Sequence, residues 1–166
     1  VCEYCGCQAV ASVAGLTREH EAVVNLIGAV RDAHRQNDIV RMTEVVREIA
    51  AILGPHTQVE ERGLFPAMAD EFPDHIAVLE TEHRQIEAVL AEAEDGVPTA
   101  PAWPSRVLNV LALLREHILK EQDGVFPAAL ASLSIEQWEA VEAVRDRVGS
   151  RTPAPWAEAD DSSLRD

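Results

Sequence analysis

Basic residues are scarce. Lys and Arg number 14 against 29 Asp and Glu in 166 residues, a formal net charge of −15. Such a surface argues against nucleic-acid or anionic-membrane partners, because neutralising phosphates needs Lys and Arg patches. Cysteine is equally sparse, and the three present, at positions 2, 5 and 7, make no disulfide framework. No apolar run approaches the ~20 residues needed to span a bilayer. The opening Val1-Cys2-Glu3 has neither the basic n-region nor the apolar h-region of a secretory signal, so a cytoplasmic protein is expected. Aromatic residues reach only 4%, yet hydrophobic residues reach 47%, enough for one buried core and too many for wholesale disorder.

What is present is helical periodicity. Val23, Val24, Ile27, Val30 and Ala33 recur at helical spacing between Leu16 and about Gln36, and Asn37-Asp38 supplies turn and cap chemistry. A second stretch runs from Ile39 to about Asp70, with a kink or division expected at Gly54-Pro55. Pro73-Asp74 opens a third helix to about Ala93, residues 94–104 read as a loop, and a fourth helix spans about Ser105 to Leu130. Ser134 with Gln137 forms a capping box before a short fifth helix ending near Val148. Nothing alternates as a strand does. The expected fold is all-α, an up-down-up-down four-helix bundle with a short fifth helix. Its expected organisation is a Cys-bearing arm at 1–14, the bundle at 15–148, and a disordered acidic tail at 149–166.

An internal repeat organises the histidines. Leu16-x-x-Glu19-His20 recurs as Leu79-x-x-Glu82-His83. His56-x3-Glu60, followed by Phe65-Pro66-Ala67, recurs as His117-x3-Glu121, followed by Phe126-Pro127-Ala128. The His-to-Glu offset is four and the His-to-Phe offset nine in both copies. Two helical hairpins related by an approximate twofold would bring both units to one midline. Residues four apart share a helix face, so His56 with Glu60 and His117 with Glu121 should point together into the bundle. His20 and His83 complete a set of four imidazoles and two carboxylates. This mixed nitrogen and oxygen set suits iron, manganese or zinc, whereas closed thiolate cages favour zinc or iron–sulfur. Shared between two metals, with both Glu bridging, the six side chains leave coordination positions open for O₂, peroxide or NO. His34 and His75 fall outside the repeat and are expected at the surface.

At these residues the sequence resembles the hemerythrin-like, HHE cation-binding family, over about residues 16–130. The resemblance implies a four-helix bundle around a non-haem di-iron centre, oxo- or hydroxo-bridged, with Mn or Zn as substitutes. Carried over by motif, its ligands are His20, His56, Glu60, His83, His117 and Glu121. The set is closest to the four-His, two-Glu pattern of repair-of-iron-centres proteins. The invertebrate oxygen carriers instead use H-x3-H on the third helix and H-x4-D on the fourth. Here Leu79 and Glu87 flank His83 at four residues on either side, which speaks against reversible O₂ carriage and leaves Glu87 as a candidate additional ligand.

Cys2, Cys5 and Cys7 form C-x2-C-x-C. Three thiolates so close can hold a soft metal with a fourth ligand from elsewhere, or cycle between dithiol and disulfide; incidental terminal thiols are the plain alternative. Two function classes follow for the chain: redox chemistry on O₂, peroxide or NO at a di-iron centre, of oxidase or peroxidase type, or non-catalytic iron, oxygen or NO sensing and iron handling. Small diatomic or peroxide ligands are the expected partners in either case.

Overall fold

The computed structural model describes residues 6–149. Within them the chain forms α1 (Gly6–Arg35), α2 (Ile39–Val59), α3 (Phe65–Met68), α4 (Pro73–Ala91), α5 (Trp103–Lys120), α6 (Phe126–Ser132) and α7 (Ile135–Val148), and the described residues contain no strand. Two π-helical turns, Glu60–Leu64 and Glu121–Val125, carry α2 into α3 and α5 into α6. The long rods are therefore α1, α2 with α3, α4, and α5 with α6. They pack as two antiparallel hairpins, α1 on α2 and α4 on α5, in the up-down-up-down order expected. The short fifth helix, α7, lies across α1, α2 and the first π turn.

Local chemistry sets the ends of these rods. Asn37 turns the chain at φ 56°, and the Asp38 carboxylate caps α2 by accepting from the Arg41 N–H at 2.9 Å. Pro73 starts α4 at a position where its missing N–H leaves no bond unmade. The capping box before α7 is formed as read. Gln137 N–H donates to Ser134 Oγ at 3.3 Å, and Ser134 N–H donates to Gln137 Oε1 at 2.8 Å.

Two local expectations are corrected. Gly54-Pro55 does not divide the second rod: α2 runs through Pro55 as one helix. Proline removes a single backbone bond there, and buried Leu53 and His56 keep the flanking turns packed. The irregularity comes later, at the π turn beginning with Glu60. The first helix starts at Gly6, well before Leu16, because Ala9 and Val13 join Leu16 in an apolar cluster that holds the early turns. His75 is exposed, whereas His34 is half-buried. Cys2, Cys5 and residues 150–166 lie outside the described residues, and Cys7 falls in the first turn of α1.

The apolar interior is divided in two. One cluster gathers Val23, Ile27, Met42, Ile49, Trp103 and Leu111; the other gathers Leu16, Leu64, Phe65, Phe126, Trp138 and Val141. Each rod passes from one cluster to the other through a histidine. Leu16 and Val23 flank His20, Leu53 and Val59 flank His56, Leu79 and Ile86 flank His83, and Leu114 and Phe126 flank His117. A polar layer is thereby held between two apolar ones.

The second cluster depends on a close approach at Gly63, where an added Cβ would lie 3.1 Å from the Val141 Cα of α7. Its repeat counterpart, Gly124, has nothing within 4 Å of an added Cβ. Gly63→Ala is expected to destabilise by about 1–3 kcal/mol through overpacking. Gly124→Ala is expected to be neutral or to stabilise by up to ~1 kcal/mol through helix propensity. Urea melts of the two variants read this difference in sign.

Candidate metal centre

The polar layer is the midline anticipated from the repeat. His20, His56, His83, His117, Glu60 and Glu121 are between 0% and 5% exposed. Every imidazole turns Nε2 inward. Glu60 lies between the two hairpins, with Oε1 3.2 Å from His56 Nε2 and Oε2 3.3 Å from His83 Nε2. Glu121 does the same in reverse, with Oε1 2.8 Å from His117 Nε2 and Oε2 3.1 Å from His20 Nε2. The twofold extends to the rings: His20 and His56 have centroids 4.6 Å apart, and so do His83 and His117. Phe126 stacks on His20 and Phe65 on His83, each at 5.6 Å.

Two overlapping sets of donor atoms result, each lying within 4.8 Å of one another. One is His20, His56, Glu60 and Glu121; the other is His83, His117, Glu60 and Glu121. Both carboxylates belong to both sets. Glu87 belongs to neither; it is exposed and borders a small cavity beside the four imidazoles.

The donors fit a metal. Both oxygens of Glu60, both oxygens of Glu121 and His117 Nε2 are buried without a hydrogen bond of normal geometry. Buried carboxylates of this kind are costly unless a cation meets them. Protons serve that purpose in the metal-free protein. Burial alone would lower the His56 pKa, but the Glu60 carboxylate and hydrogen bonds to Glu19 and Glu60 outweigh it and raise the value to about 10. His83, likewise opposed by burial, is raised to about 9 through Glu60 and Glu61. His117 is raised against burial by Glu121. Burial would raise the Glu60 pKa, yet His56 and His83 hold its carboxyl well below the usual range.

The outward ring nitrogens show what the motif reading missed. His56 Nδ1 donates to Glu19 Oε2 at 2.7 Å, and His117 Nδ1 donates to Glu82 Oε2 at 2.8 Å. His83 Nδ1 donates to Glu61 Oε1 at 2.9 Å. Carboxylates placed this way fix the tautomer and leave Nε2 bare for a cation. Glu19 and Glu82 are the Glu of the two Glu-His pairs, so the signal stood in the repeat with no role attached. Burial opposes ionisation of both. The His56 and Arg145 partners hold Glu19 below its ordinary pKa, and Lys120 and His117 hold Glu82 below.

The π turns were also missed, although the nine-residue offset encodes them. Nine residues are about two and a half turns of a straight α-helix, which would put His56 and Phe65 on opposite faces. One extra residue per turn returns the phenylalanine to the interior. The Phe65 and Phe126 N–H groups accordingly bond back to the Glu60 and Glu121 carbonyls. π turns of this kind gather at functional sites.

A helical bundle enclosing a shared His/Glu layer of this kind defines a metal-binding protein of the four-helix class. A family model described as the hemerythrin HHE cation binding domain matches residues 11–129, and the chain belongs to that family. Among curated proteins, a DNA nickase from Nostoc sp. (strain PCC 7120 / SAG 25.82 / UTEX 2576) is 25% identical over 109 residues, 65% of this chain. The match spans 31% of that relative's length. No solved structure matches. No helix among the described residues is long and apolar enough to cross a membrane.

Proposed function

We propose that this chain is a non-haem di-iron protein that binds and reacts with O₂, peroxide or NO. The sharing of Glu60 and Glu121 by two donor sets carries this reading. His20 and His56 would hold one iron, His83 and His117 the other, and both carboxylates would bridge. A bound iron pair supplies one- and two-electron redox chemistry to small oxidants.

The chain's own residues supply the rest. Glu19, Glu82 and Glu61 keep the proton on Nδ1 of His56, His117 and His83 and so hold those rings in one orientation. Leu53, Ile86 and Leu114 wall the small cavity that His20, His56, His83 and His117 face. That cavity offers about 10 Å³ to the centre of a water-sized molecule, room for one water or a ligand of similar size. This size favours a diatomic or peroxide ligand on that side of the centre. Glu87 and Thr57 border the same cavity.

The test is metal analysis with absorption spectra of the reduced protein before and after O₂, peroxide and NO. About two irons per chain with new charge-transfer bands are expected. Zinc alone with no spectral response sinks the redox reading. Consumption of oxidant over many cycles marks an enzyme. A single stoichiometric response with altered protease sensitivity marks the sensing or iron-handling alternative.

A further inference from the structure

The two hairpins agree in their inward-facing donors and differ in what stands behind them. Glu82, the acceptor for His117, is paired with Lys120, the residue just before Glu121 on α5. The repeat places Val59 at the corresponding position before Glu60, and Val59 is buried and apolar. The first hairpin thus has no cation of its own at that place. Its Glu19 is met instead from α7, where Arg145 Nη1 donates to Glu19 Oε1 at 2.9 Å. The other oxygen of Glu19 accepts from His56.

The helix that carries Arg145 lies beyond residues 11–129, outside the span of the family match. The path of its side chain is prepared. At Gly15 on α1, an added Cβ would lie 3.1 Å from the Arg145 guanidinium carbon. Val78 stands at the equivalent place on α4 and is exposed, whereas α7 packs on α1, α2 and the first π turn. The Arg145 side chain is 15% exposed, and its buried Nε and Nη2 find no other partner among the described residues. A largely desolvated guanidinium bonded to one carboxylate is a costly arrangement for mere surface packing.

We infer that Arg145 is a positioning residue for one half of the metal centre, acting through Glu19 on the orientation and tautomer of His56. Arg145 anchors one oxygen of Glu19, the other accepts the His56 Nδ1 proton, and Nε2 is thereby the ring nitrogen aimed at the shared carboxylates and available to a cation. Lys120 does the same for His117 through Glu82. The appended helix is therefore part of the centre on one side only. This inference rests on the two-metal reading above.

The test is titration of the metal-free full chain with Co(II) against a competing chelator, followed by Co(II) d–d absorption. The wild type is expected to take two equivalents. Arg145→Leu should weaken one of them about tenfold, in the range found for partners behind a ligand, and leave the other unchanged. Lys120→Leu should weaken the opposite one. Arg145→Lys should restore much of the loss. Gly15→Val should displace the guanidinium and weaken the same equivalent as Arg145→Leu, while placing a better helix former in α1. Two wild-type equivalents with no change in Arg145→Leu, or with both weakened equally, overturn the positioning role alone. Fewer than two wild-type equivalents overturn the two-metal reading and this inference with it.

Discussion

Glu60→Ala is expected to reduce bound metal from two equivalents to one or fewer, and Glu121→Ala to do the same. Each carboxylate spans the hairpins, with its two oxygens directed at histidines of different pairs. Removing one carboxylate therefore withdraws an oxygen from both donor sets, unlike loss of a histidine, which touches one. The metal-free protein should suffer as well, because His56 and His83 lose the buried partner that sustains their charge. Breaking a buried ion pair by removing one member costs about 3–5 kcal/mol, lessened here to the extent that the imidazoles shed their protons. Metal content after dialysis, with urea melts of the apo proteins, measures both effects. Two retained equivalents in both variants would falsify the bridging role.

Alkaline pH should destabilise the metal-free protein and spare the loaded one. His56 is raised from 6.5 to about 10 and His83 from 6.5 to about 9. Groups raised on folding contribute fully below their unfolded value and lose that contribution as pH climbs through the folded value. Glu60 is shifted the other way, so its contribution is present above its ordinary 4.5 and is lost as the solution becomes acid. These shifts describe one set of ion pairs from two ends and are counted once. At about 1.4 kcal/mol per pH unit of displaced titration, the apo protein should lose several kcal/mol between pH 6.5 and pH 10. That corresponds to roughly 10 °C in Tm for a chain of this size. Metal replaces the protons on Nε2, so loading should release protons and flatten the alkaline limb. Thermal melts of chelator-treated and zinc-loaded protein at pH 6 and pH 10 test this; parallel curves would count against it.

The site was legible in the sequence wherever it depends on local helix geometry. His56 with Glu60 and His117 with Glu121 are four residues apart, and that spacing alone puts them on one face. The duplicated Glu-His pairs then supplied the partner rods. What depends on distant packing was not legible. Arg145 meets Glu19 across 126 residues, a contact that depends on α7 packing close to Gly15 and Gly63. The Pro55 expectation failed for a related reason: a proline's local penalty was outweighed by burial on both sides of it. The π turns lie between these cases. Their phase error is written in the His-to-Phe offset, but it becomes meaningful only once both residues are known to face inward.

The division of the interior into two apolar clusters bears on how a lost metal is regained. α1 alone is 30 residues long, about 45 Å at 1.5 Å per residue, and like the other rods it is gripped on both sides of its histidine. Fraying at one end of the bundle therefore leaves the remaining cluster holding the rods together. A side chain that released a bound ion would stay tethered beside it, so that recapture would be favoured by a high effective concentration. Retention of metal would in that sense rest on the scaffold as well as on donor chemistry.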